Sequence, residues 1–442
     1  MFNLNCTSYE RIIILFSLVL SFSWSDLSSQ PSRPNIIYIM TDDMGYGDLS
    51  GYGRKDYQTT HLDDLAKQGV KFINAYSAGP LCTPTRTAFM TGRYPARTPV
   101  GLLEPLTSSE KDREYGLTAD YPSIASLLKS GGYQTALVGK WHLGVLPQHS
   151  PLKNGFDYFF GIRTGAADYI SHKGDNGNPD LYENDQLVEM DGYLTELFTQ
   201  KAISFIKGKH DKPFFLVITY NAPHWPWQGP DARPYPDSVD FRDGGSPEIY
   251  AQMMKSLDEG VGNIIKALDG ELSGRTLVIF TNDNGGERFS DNAGLMKSKG
   301  TLWEGGIKVP AFARWTGTIK AGGVSEQVIV TMDWTATILS AAGVQPPPDF
   351  PFDGMDLMPV MISPGKVIDR TLYWRTFQRT RQKAIRSGEW KYIQDEKGEY
   401  LFNLFDDPGE KSDLKAAKPE IFNQLKSKYE NWEKTVLQPI AL

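Results

Sequence analysis

The sequence has few cysteines, no excess of basic residues and no hydrophobic run of transmembrane length. Two cysteines among 442 residues exclude a disulfide-rich scaffold. The 46 lysines and arginines are outnumbered by 53 aspartates and glutamates, so the net charge is −7 and a nucleic-acid partner is disfavoured. No stretch reaches the ~18 apolar residues that a transmembrane helix needs, so we expect no stable membrane insertion. The remaining composition, 40% hydrophobic and 22% charged residues, is typical of a globular protein.

The N-terminal segment predicts export. An apolar run, Ile12–Phe22, follows Arg11 and leads into small residues near Ser25. This pattern is typical of a secretory signal peptide, which we predict over residues 1–25. The mature protein would be secreted or periplasmic and would keep a single cysteine, Cys82. A lone thiol in an exported protein is either a buried structural residue or a group with a chemical role.

Four short apolar runs predict buried strands that alternate with helical patterns. Such alternation indicates an α/β fold with a large, mainly parallel central sheet sandwiched by helices. The predicted strands are Asn35–Thr41, Thr135–Gly139, Phe214–Thr219 and Thr276–Thr281. The predicted helices between and around them are Thr60–Gln68, Tyr121–Lys129, Leu194–Lys207 and Pro247–Leu268.

The composition changes after about residue 345, where Gln345–Pro348 forms a rigid break. We therefore predict a main domain over residues 33–345 and a smaller α+β subdomain over residues 346–442. Its predicted elements are the β-like segments Leu372–Thr376, Gln382–Arg386 and Lys391–Gln394, a turn at Gly388, and a last helix, Pro419–Val436.

Polar residues follow each of the four predicted strands. In an open parallel sheet, ligands bind outside the carboxyl ends of the strands. One polar residue after a strand is commonly a turn former or a helix cap, but four such strand ends on one edge indicate a functional site. The residues concerned are Asp42, Asp43, Lys140, His142, Asn221, His224, Asp283 and Asn284.

Part of this set suits a metal ion. Asp42, Asp43, Asp283 and Asn284 offer only oxygen ligands, which a hard cation such as Ca²⁺ or Mg²⁺ prefers. Calcium is favoured in an extracellular compartment. Zinc is disfavoured because the sequence has no histidine-rich or cysteine-rich spacing.

Cys82 lies where a helix is predicted to start. Thr83 is a suitable N-cap and Pro84 a suitable first helical residue, so Cys82 would lie against the positive end of the helix. Arg86 would lie one turn further on. This arrangement suits a nucleophile that acts on an anionic group.

The motifs together resemble the type I sulfatases of the alkaline phosphatase superfamily. Cys82–Arg86 matches the Cys/Ser-x-Pro-x-Arg signature of that family, and the order of the other motifs also fits. The similarity covers about residues 33–440 and is closest in kind to bacterial polysaccharide sulfatases and to enzymes of the N-acetylgalactosamine-6-sulfatase and arylsulfatase A type. The further motifs are Asn35–Gly47, Gly132–His142, Asp283–Gly286 and Lys299–Gly306.

The resemblance implies a cofactor and a modified residue. A maturing enzyme of the host would convert Cys82 to Cα-formylglycine, whose hydrate attacks the sulfur of a sulfate ester. The resemblance also implies that calcium is bound by Asp42, Asp43, Asp283, Asn284 and residue 82.

The resemblance assigns the remaining site residues as well. Arg86 would hold the modified residue, and Lys140 and Lys299 would bind sulfate oxygens, although Lys297 lies only two residues from Lys299. His224 would protonate the leaving oxygen, and His142 would take the proton that allows sulfate to be expelled.

The substrate is predicted from weaker signals. Trp225 and Trp227 lie beside the presumed acid and offer flat faces for sugar rings or, equally, loop packing. Asp168 and His172 resemble the substrate-contacting region of polysaccharide sulfatases or form a solvated loop. The basic stretch from Arg370 to Arg386 would face a polyanionic glycan or solvent. We expect a sulfated galactan such as carrageenan, or its oligosaccharides, with glycosaminoglycans second.

Three other functions compete with this one. A phosphodiesterase or phosphonate hydrolase of the same superfamily would share most of the site. A non-catalytic glycan-binding relative is disfavoured because every expected catalytic residue is present. A hydrolase that uses the Cys82 thiol directly would need a histidine beside it and would leave the metal ligands unused.

Overall fold

A ten-stranded sheet forms the centre of the structure, a computed structural model that describes residues 33–236, 239–268 and 270–440. The predicted signal peptide lies outside these residues. Within the described part of the chain the strands are β1 (Asn35–Thr41), β2 (Val70–Phe72), β3 (Ala75–Tyr76), β4 (Gln134–Gly139), β5 (Tyr158–Ile162), β6 (Leu181–Glu183), β7 (Gln186–Leu187), β8 (Phe214–Thr219), β9 (Thr276–Asn282), β10 (Ala311–Arg314), β11 (Gly323–Ser325), β12 (Ile329–Val330), β13 (Thr371–Arg375), β14 (Lys383–Ser387), β15 (Trp390–Asp395) and β16 (Gly398–Asn403).

Helices pack on both faces of this sheet. Those described are α1 (Thr60–Lys67), α2 (Cys82–Thr91), α3 (Ile124–Ser130), α4 (Leu194–Ile206), α5 (Pro247–Ala267), α6 (Glu271–Gly274), α7 (Glu304–Ile307), α8 (Thr331–Ala342), α9 (Met358–Ile362) and α10 (Pro419–Glu433). Among the described residues, no helix combines the length and the apolarity needed to cross a membrane.

The sheet has the order β11-β2-β10-β9-β1-β8-β4-β5-β6-β7. Five neighbouring strands, from β9 to β5, pair in parallel. On one side of them β10 pairs antiparallel with β9, and on the other side β6 and β7 continue the sheet in antiparallel pairing. The predicted α/β class with a mainly parallel central sheet is therefore confirmed. All four predicted strands are present: β1 and β8 have the predicted bounds, and β4 and β9 are each longer by one residue at one end.

The middle strand β1 shows why the fold takes this form. Every residue of β1 is buried, as expected for an isoleucine-rich strand covered on both faces. Ile36 and Tyr38 pack into the cluster with α2, α3 and α8, while Ile37 and Ile39 pack into the cluster with α4 and α5. The alternation of side chains along one strand thus joins two hydrophobic cores.

The C-terminal part is a four-stranded antiparallel sheet, β13-β14-β15-β16, followed by α10. The sequence predicted its first three strands but not β16. Gly388 makes the predicted turn with a φ of 60°, a conformation that glycine adopts without strain. The aromatic core of this sheet includes Trp303 and Tyr76 from the main part. The division at residues 345 and 346 remains a prediction.

A buried ion cluster connects the C-terminal sheet to the segment that precedes β10. Lys391 of β15 is fully buried, and its Nζ lies 2.8 Å from both Glu304 Oε1 and Glu410 Oε1. Glu410 also accepts a hydrogen bond from the Glu304 amide. Removal of the lysine would leave two carboxylates unpaired in the interior, which is costly.

We expect Lys391→Ala to lower the free energy of unfolding by about 3–5 kcal/mol, because it leaves buried charges uncompensated. Lys426→Ala is the matched control, since Lys426 pairs with Glu399 at a partly exposed surface and should cost only about 0–1 kcal/mol. Urea unfolding followed by tryptophan fluorescence measures both. Equal losses in the two variants would contradict a stabilising role for the buried cluster.

Candidate active site

The predicted polar residues converge at one edge of the sheet. Strands β9, β1, β8 and β4 are neighbours in that order, so their carboxyl ends lie side by side. Each strand is followed directly by polar residues, and all of these are buried: Asp42 and Asp43 after β1, Lys140 and His142 after β4, Asn221 and His224 after β8, and Asp283 and Asn284 after β9.

Asp42 is the centre of the charge network. Its carboxylate forms an ion pair with Lys140, which is fully buried, and lies 3.5 Å from Arg86 Nη2. Its Oδ1 accepts a hydrogen bond of 3.3 Å from the Cys82 thiol. Burial alone would raise the pKa of Asp42, but the nearby cations, led by Lys140, outweigh burial and hold the pKa well below its usual value.

Two further ion pairs complete the network. Arg86 Nη2 donates to Asp283 Oδ2 at 3.0 Å, and its Nη1 donates to the Lys140 carbonyl at the same distance. Lys299 Nζ donates to Asp43 Oδ2 at 2.6 Å. Lys297, the other lysine of this segment, pairs instead with Asp395. The three carboxylates therefore face three fixed cations, and the structure brings Lys299 rather than Lys297 to the site.

Cys82 is placed by the start of α2, but not in the way the sequence indicated. The N-cap is Leu81, and Cys82 is itself the first helical residue. The prediction that Thr83 caps the helix is wrong, because the Thr83 hydroxyl instead accepts from the Leu106 amide and donates to the His142 carbonyl. Thr83 thus joins the helix to the loop that carries His142.

The thiol environment disfavours a thiolate. Burial and the neighbouring Asp42 carboxylate raise the pKa of Cys82 well above its usual value, and Lys140 offsets this only in part. A cysteine nucleophile normally has a lowered pKa. Burial beside the Asp42 carboxylate therefore disfavours the thiolate that direct attack by Cys82 would need.

The oxygen ligands fit a hard cation. Carboxylate oxygens of Asp42 and Asp43 lie within 4.8 Å of each other and of one ligand atom each from Cys82 and His224. Asn284 Nδ2 donates to Asp43 at 2.8 Å, while its Oδ1 is buried and has no hydrogen-bond partner among the described residues. An unpartnered buried amide oxygen next to two carboxylates is the donor arrangement that Ca²⁺ or Mg²⁺ prefers.

His224 is held with one nitrogen toward the carboxylates. Its Nδ1 lies 2.6 Å from the Trp225 carbonyl, which places a proton on Nδ1, and its Nε2 lies 3.5 Å from Asp43 Oδ2. Burial lowers the pKa of His224 to about 4, and Asp43 compensates only in part. A bound anion near Nε2 would favour the protonated ring.

His142 has the opposite arrangement. Its Nε2 lies 2.8 Å from the Leu106 carbonyl, and its Nδ1 is buried with no partner in the described part of the chain. Because a carbonyl requires a donor, the proton belongs on Nε2 and Nδ1 carries the free lone pair. Burial and Lys140 lower the pKa of His142 well below its usual value, so the ring is a neutral acceptor.

A cavity of about 150 Å³ opens onto these groups, and we call it the catalytic cavity. It brings together Cys82, His142, His224 and Lys299. Its other lining residues are Leu81, Pro105, Leu106, Thr107, Ser108, Gly165, Asp175, Trp225, Arg242, Glu287, Gly300 and Arg379.

The predicted substrate residues occupy different positions. Trp225 is partly buried and lines the catalytic cavity. Trp227 is buried, with its ring centroid 5.1 Å from that of Phe289. His172 is buried against the Gly192 carbonyl, and the Asp168 carboxylate accepts hydrogen bonds from four donors of its own loops. Of these four residues, the structure brings only Trp225 to the catalytic cavity.

The basic stretch is mostly engaged inside the protein. Arg370 pairs with Asp333 and Lys383 with Glu433, and Arg386 is buried against the Tyr76 hydroxyl. Arg379 is exposed and lines the catalytic cavity. The stretch therefore supplies one cation to the site rather than a continuous basic face.

Two site residues escaped the sequence analysis. Asn282, the last residue of β9, accepts from Thr41 Oγ1 at 2.7 Å and donates to the Met44 carbonyl at 2.8 Å, so it ties the Asp42–Asp43 turn to the next strand. Glu287 lines the catalytic cavity 3.7 Å from Lys299. Asn282 directly follows the predicted strand Thr276–Thr281, but the sequence did not show its hydrogen-bond partners, and Glu287 lies in a loop with no periodic pattern.

A family comparison decides what kind of enzyme this is. The family model described as Sulfatase matches residues 34–344, well over half of the chain. The chain belongs to the sulfatase family. A second family model, described as N-sulphoglucosamine sulphohydrolase, C-terminal, matches residues 295–435. The predicted sulfatase resemblance is confirmed, and the relatives support a sulfuric ester hydrolase.

The sulfatase has relatives along most of its length. N-acetylgalactosamine-6-sulfatase of Mus musculus is 34% identical over 414 residues, which cover 87% of this chain and 76% of that protein. The crystal structure of Ps i-CgsB matches with a TM-score of 0.83 and 32% identity, covering 92% of this sulfatase and 94% of that chain. Ps i-CgsB in complex with k-i-k-neocarrahexaose gives a TM-score of 0.81 at 31% identity, with the same coverage.

The buried position of Cys82 predicts that its thiol reacts slowly with thiol reagents. The test uses protein in which residue 82 is still cysteine and from which EDTA has removed metal ions. In it, Cys82 should react with Ellman's reagent at pH 8 at least about tenfold more slowly than free cysteine, because its raised pKa leaves little thiolate. The chain without residues 1–25 has only this cysteine, so urea should release one equivalent as a control. Rapid reaction of the native protein would instead favour a thiol nucleophile.

Proposed function

We propose that this sulfatase hydrolyses sulfate esters of a sulfated carbohydrate, with residue 82 as Cα-formylglycine and with one bound calcium ion. The observation that carries the proposal is the catalytic cavity itself, where residue 82 faces Lys299, His142 and His224. Fixed cations and two histidines around one buried position suit the expulsion of an anionic group from an oxygen leaving group.

The chain holds the sulfate with charges that need no rearrangement. Lys299 lines the cavity and pairs with Asp43. Lys140 and Arg86 both pair with Asp42, whose carboxylate also contacts residue 82. The aldehyde hydrate on residue 82 would supply the nucleophilic hydroxyl. Calcium held by Asp42, Asp43, Asp283, Asn284 and residue 82 would supply Lewis acidity toward the sulfate oxygens.

The two histidines divide the proton transfers. His142 Nδ1 is a buried acceptor with no partner among the described residues, which suits it to take a proton from a hydroxyl at residue 82. His224 can donate from Nε2 only as the imidazolium, because Nδ1 already donates to the Trp225 carbonyl. The anionic substrate favours that charged form, and proton donation then assists departure of the sugar oxygen.

The substrate we propose is a galactan such as carrageenan, or its oligosaccharides. Two matched proteins support a galactose-type ring, since one is named for N-acetylgalactosamine 6-sulfate and the other was solved with a neocarrahexaose. Glycosaminoglycan sulfate esters are the second candidate, because a bacterial glycosaminoglycan sulfatase structure also matches, at 25% identity and a TM-score of 0.76.

We further propose that the enzyme is secreted or periplasmic and is matured by a formylglycine-generating or maturase enzyme of its host. The apolar run Ile12–Phe22 supports export. The lone cysteine of the mature chain supports modification rather than pairing.

A panel of sulfated oligosaccharides tests the proposed function. It should contain carrageenan, chondroitin sulfate and heparin oligosaccharides, with free sulfate measured by ion chromatography. We expect release from the carrageenan members. Turnover confined to a glucosamine sulfate would overturn the choice of substrate, and failure on every sulfate ester would overturn the function.

Modification of residue 82 has a direct signature in mass. The tryptic peptide that holds residue 82 should be lighter than its cysteine form by roughly 18 Da, because the thiol carbon becomes an aldehyde. Cys82→Ser should lose nearly all activity unless the host converts serine. Full activity with an intact free thiol would refute the proposed nucleophile.

Calcium should be needed for turnover. Asp283→Ala removes one proposed ligand and should lower both bound calcium and kcat, with Asp231→Ala, an exposed aspartate, as the control. Elemental analysis and sulfate release measure the two effects, and thermal melting separates them from unfolding. Undiminished activity in metal-free protein after exhaustive chelation would exclude the ion.

The acid role of His224 depends on the leaving group. A sugar alkoxide needs a proton to leave, whereas a nitrophenolate does not, and general acid help is worth roughly 10²–10⁴-fold. His224→Ala should therefore reduce kcat/KM for a sugar sulfate far more than for nitrophenyl sulfate. The same loss on both substrates would remove His224 from this role.

A further inference from the structure

A second cavity lies beside the catalytic one. It measures about 390 Å³ and shares Trp225, Asp175 and Arg242 with the catalytic cavity. Arg242 lies across the Trp225 indole, with its guanidinium carbon 5.2 Å from the ring centroid. The two cavities therefore adjoin along one wall.

The catalytic cavity is too small to hold a long substrate. Its volume of about 150 Å³ is below the ~300–1,000 Å³ that is usual for small-molecule sites. A substrate that extends beyond the sulfate and its own ring must therefore leave this cavity, and the second cavity is the adjoining space.

The lining of the second cavity suits hydroxyl groups and sugar faces rather than a further sulfate. Tyr235 and Phe241 contribute aromatic rings, and Asp175 and Asp240 contribute exposed carboxylates. Among the lining residues that the structure describes, three carboxylates, including that of Asp168, stand against two cations, Lys173 and Arg242. Carboxylates accept hydrogen bonds from hydroxyl groups but repel sulfate.

Hydrogen bonds hold the walls of this cavity in place. The buried Asp168 carboxylate accepts from the Ser171 amide at 2.7 Å, from Gln228 Nε2 at 2.9 Å and from the Tyr235 amide at 2.8 Å. Asp175 accepts from the Ser108 hydroxyl at 2.6 Å, which joins this wall to a loop of the catalytic cavity. Such a preformed shape reduces the entropy lost when a ligand binds.

We propose that the second cavity binds a neighbouring pyranose unit of the same glycan chain, one that presents free hydroxyl groups. The proposal rests on the proposed function and adds that the enzyme prefers oligosaccharides to monosaccharide sulfates. It also gives Asp168 a part in the site, as the residue that positions the wall of the second cavity.

Substitutions that block the second cavity or remove part of its aromatic wall test the proposal. Ser171→Trp would occupy it and Phe241→Ala would remove one aromatic wall, and neither residue lines the catalytic cavity. The controls are Ser204→Trp on the exposed face of α4 and Phe405→Ala, whose ring is 82% exposed. The substrates are a neocarrahexaose and a chondroitin sulfate hexasaccharide, each compared with galactose 6-sulfate and N-acetylgalactosamine 6-sulfate.

We expect the wild-type enzyme to favour at least one hexasaccharide over the monosaccharides in kcat/KM. Ser171→Trp should reduce that ratio at least about tenfold, which corresponds to roughly 1.4 kcal/mol of lost contact. The controls should keep the wild-type ratio. Absence of any length preference, or an unchanged ratio in Ser171→Trp, would overturn the proposal.

A separate binding measurement distinguishes this failure from failure of the proposed function. If the enzyme released sulfate from none of these substrates, the proposed function would be wrong. Isothermal titration of both hexasaccharides into Cys82→Ala, with and without Ser171→Trp, would then decide the second cavity alone. Weaker binding in the double variant supports the subsite, and equal or absent binding refutes it.

Discussion

The whole site depends on the rule that buried charges need partners. Asp42 follows a strand that is buried along its whole length and has no access to solvent, so its charge requires Lys140 from the next-but-one strand and Arg86 from α2. These pairs fix the positions of three chain segments at once. Residue 82 lies one helical turn before Arg86. Its position is therefore set by the ion pairs that the buried Asp42 carboxylate requires.

The strands and the site could be predicted together because both follow from local patterns. An isoleucine-rich run such as Asn35–Thr41 has few alternatives to a buried strand, and polar residues directly after such runs must share one edge. The role of Thr83 could not be predicted, because the choice between capping a helix and bridging to Leu106 depends on a loop that is distant in sequence. The role of Asn282 could not be predicted for a related reason, since its partners Thr41 and Met44 lie at the end of β1 and in the turn after it, far from Asn282 in sequence.

The C-terminal sheet contributes to the site as well as to stability. Lys299 belongs to a segment whose later residues are anchored there: the Leu302 amide donates to Gln382 Oε1 at 2.6 Å, and Glu304 pairs with Lys391. Thr380 Oγ1 also donates to the Gly300 carbonyl. This dependence is not visible in the sequence, because ion pairs between distant segments leave no local pattern. The lysine that we propose as a sulfate ligand is thus positioned by contacts with the far end of the chain.

Charge distribution separates the two halves of the binding region. Around residue 82, three cations oppose three carboxylates, so a bound calcium ion would make the catalytic cavity positive and suited to a sulfate ester. Among the described lining residues of the second cavity, carboxylates outnumber cations. Of the basic stretch, Arg370 and Lys383 are paired with carboxylates of the protein, and Arg379 lines the catalytic cavity. The protein therefore concentrates its attraction for anions at one position. A multiply sulfated chain would be bound there by one sulfate, with its less charged neighbour directed toward Tyr235 and Phe241.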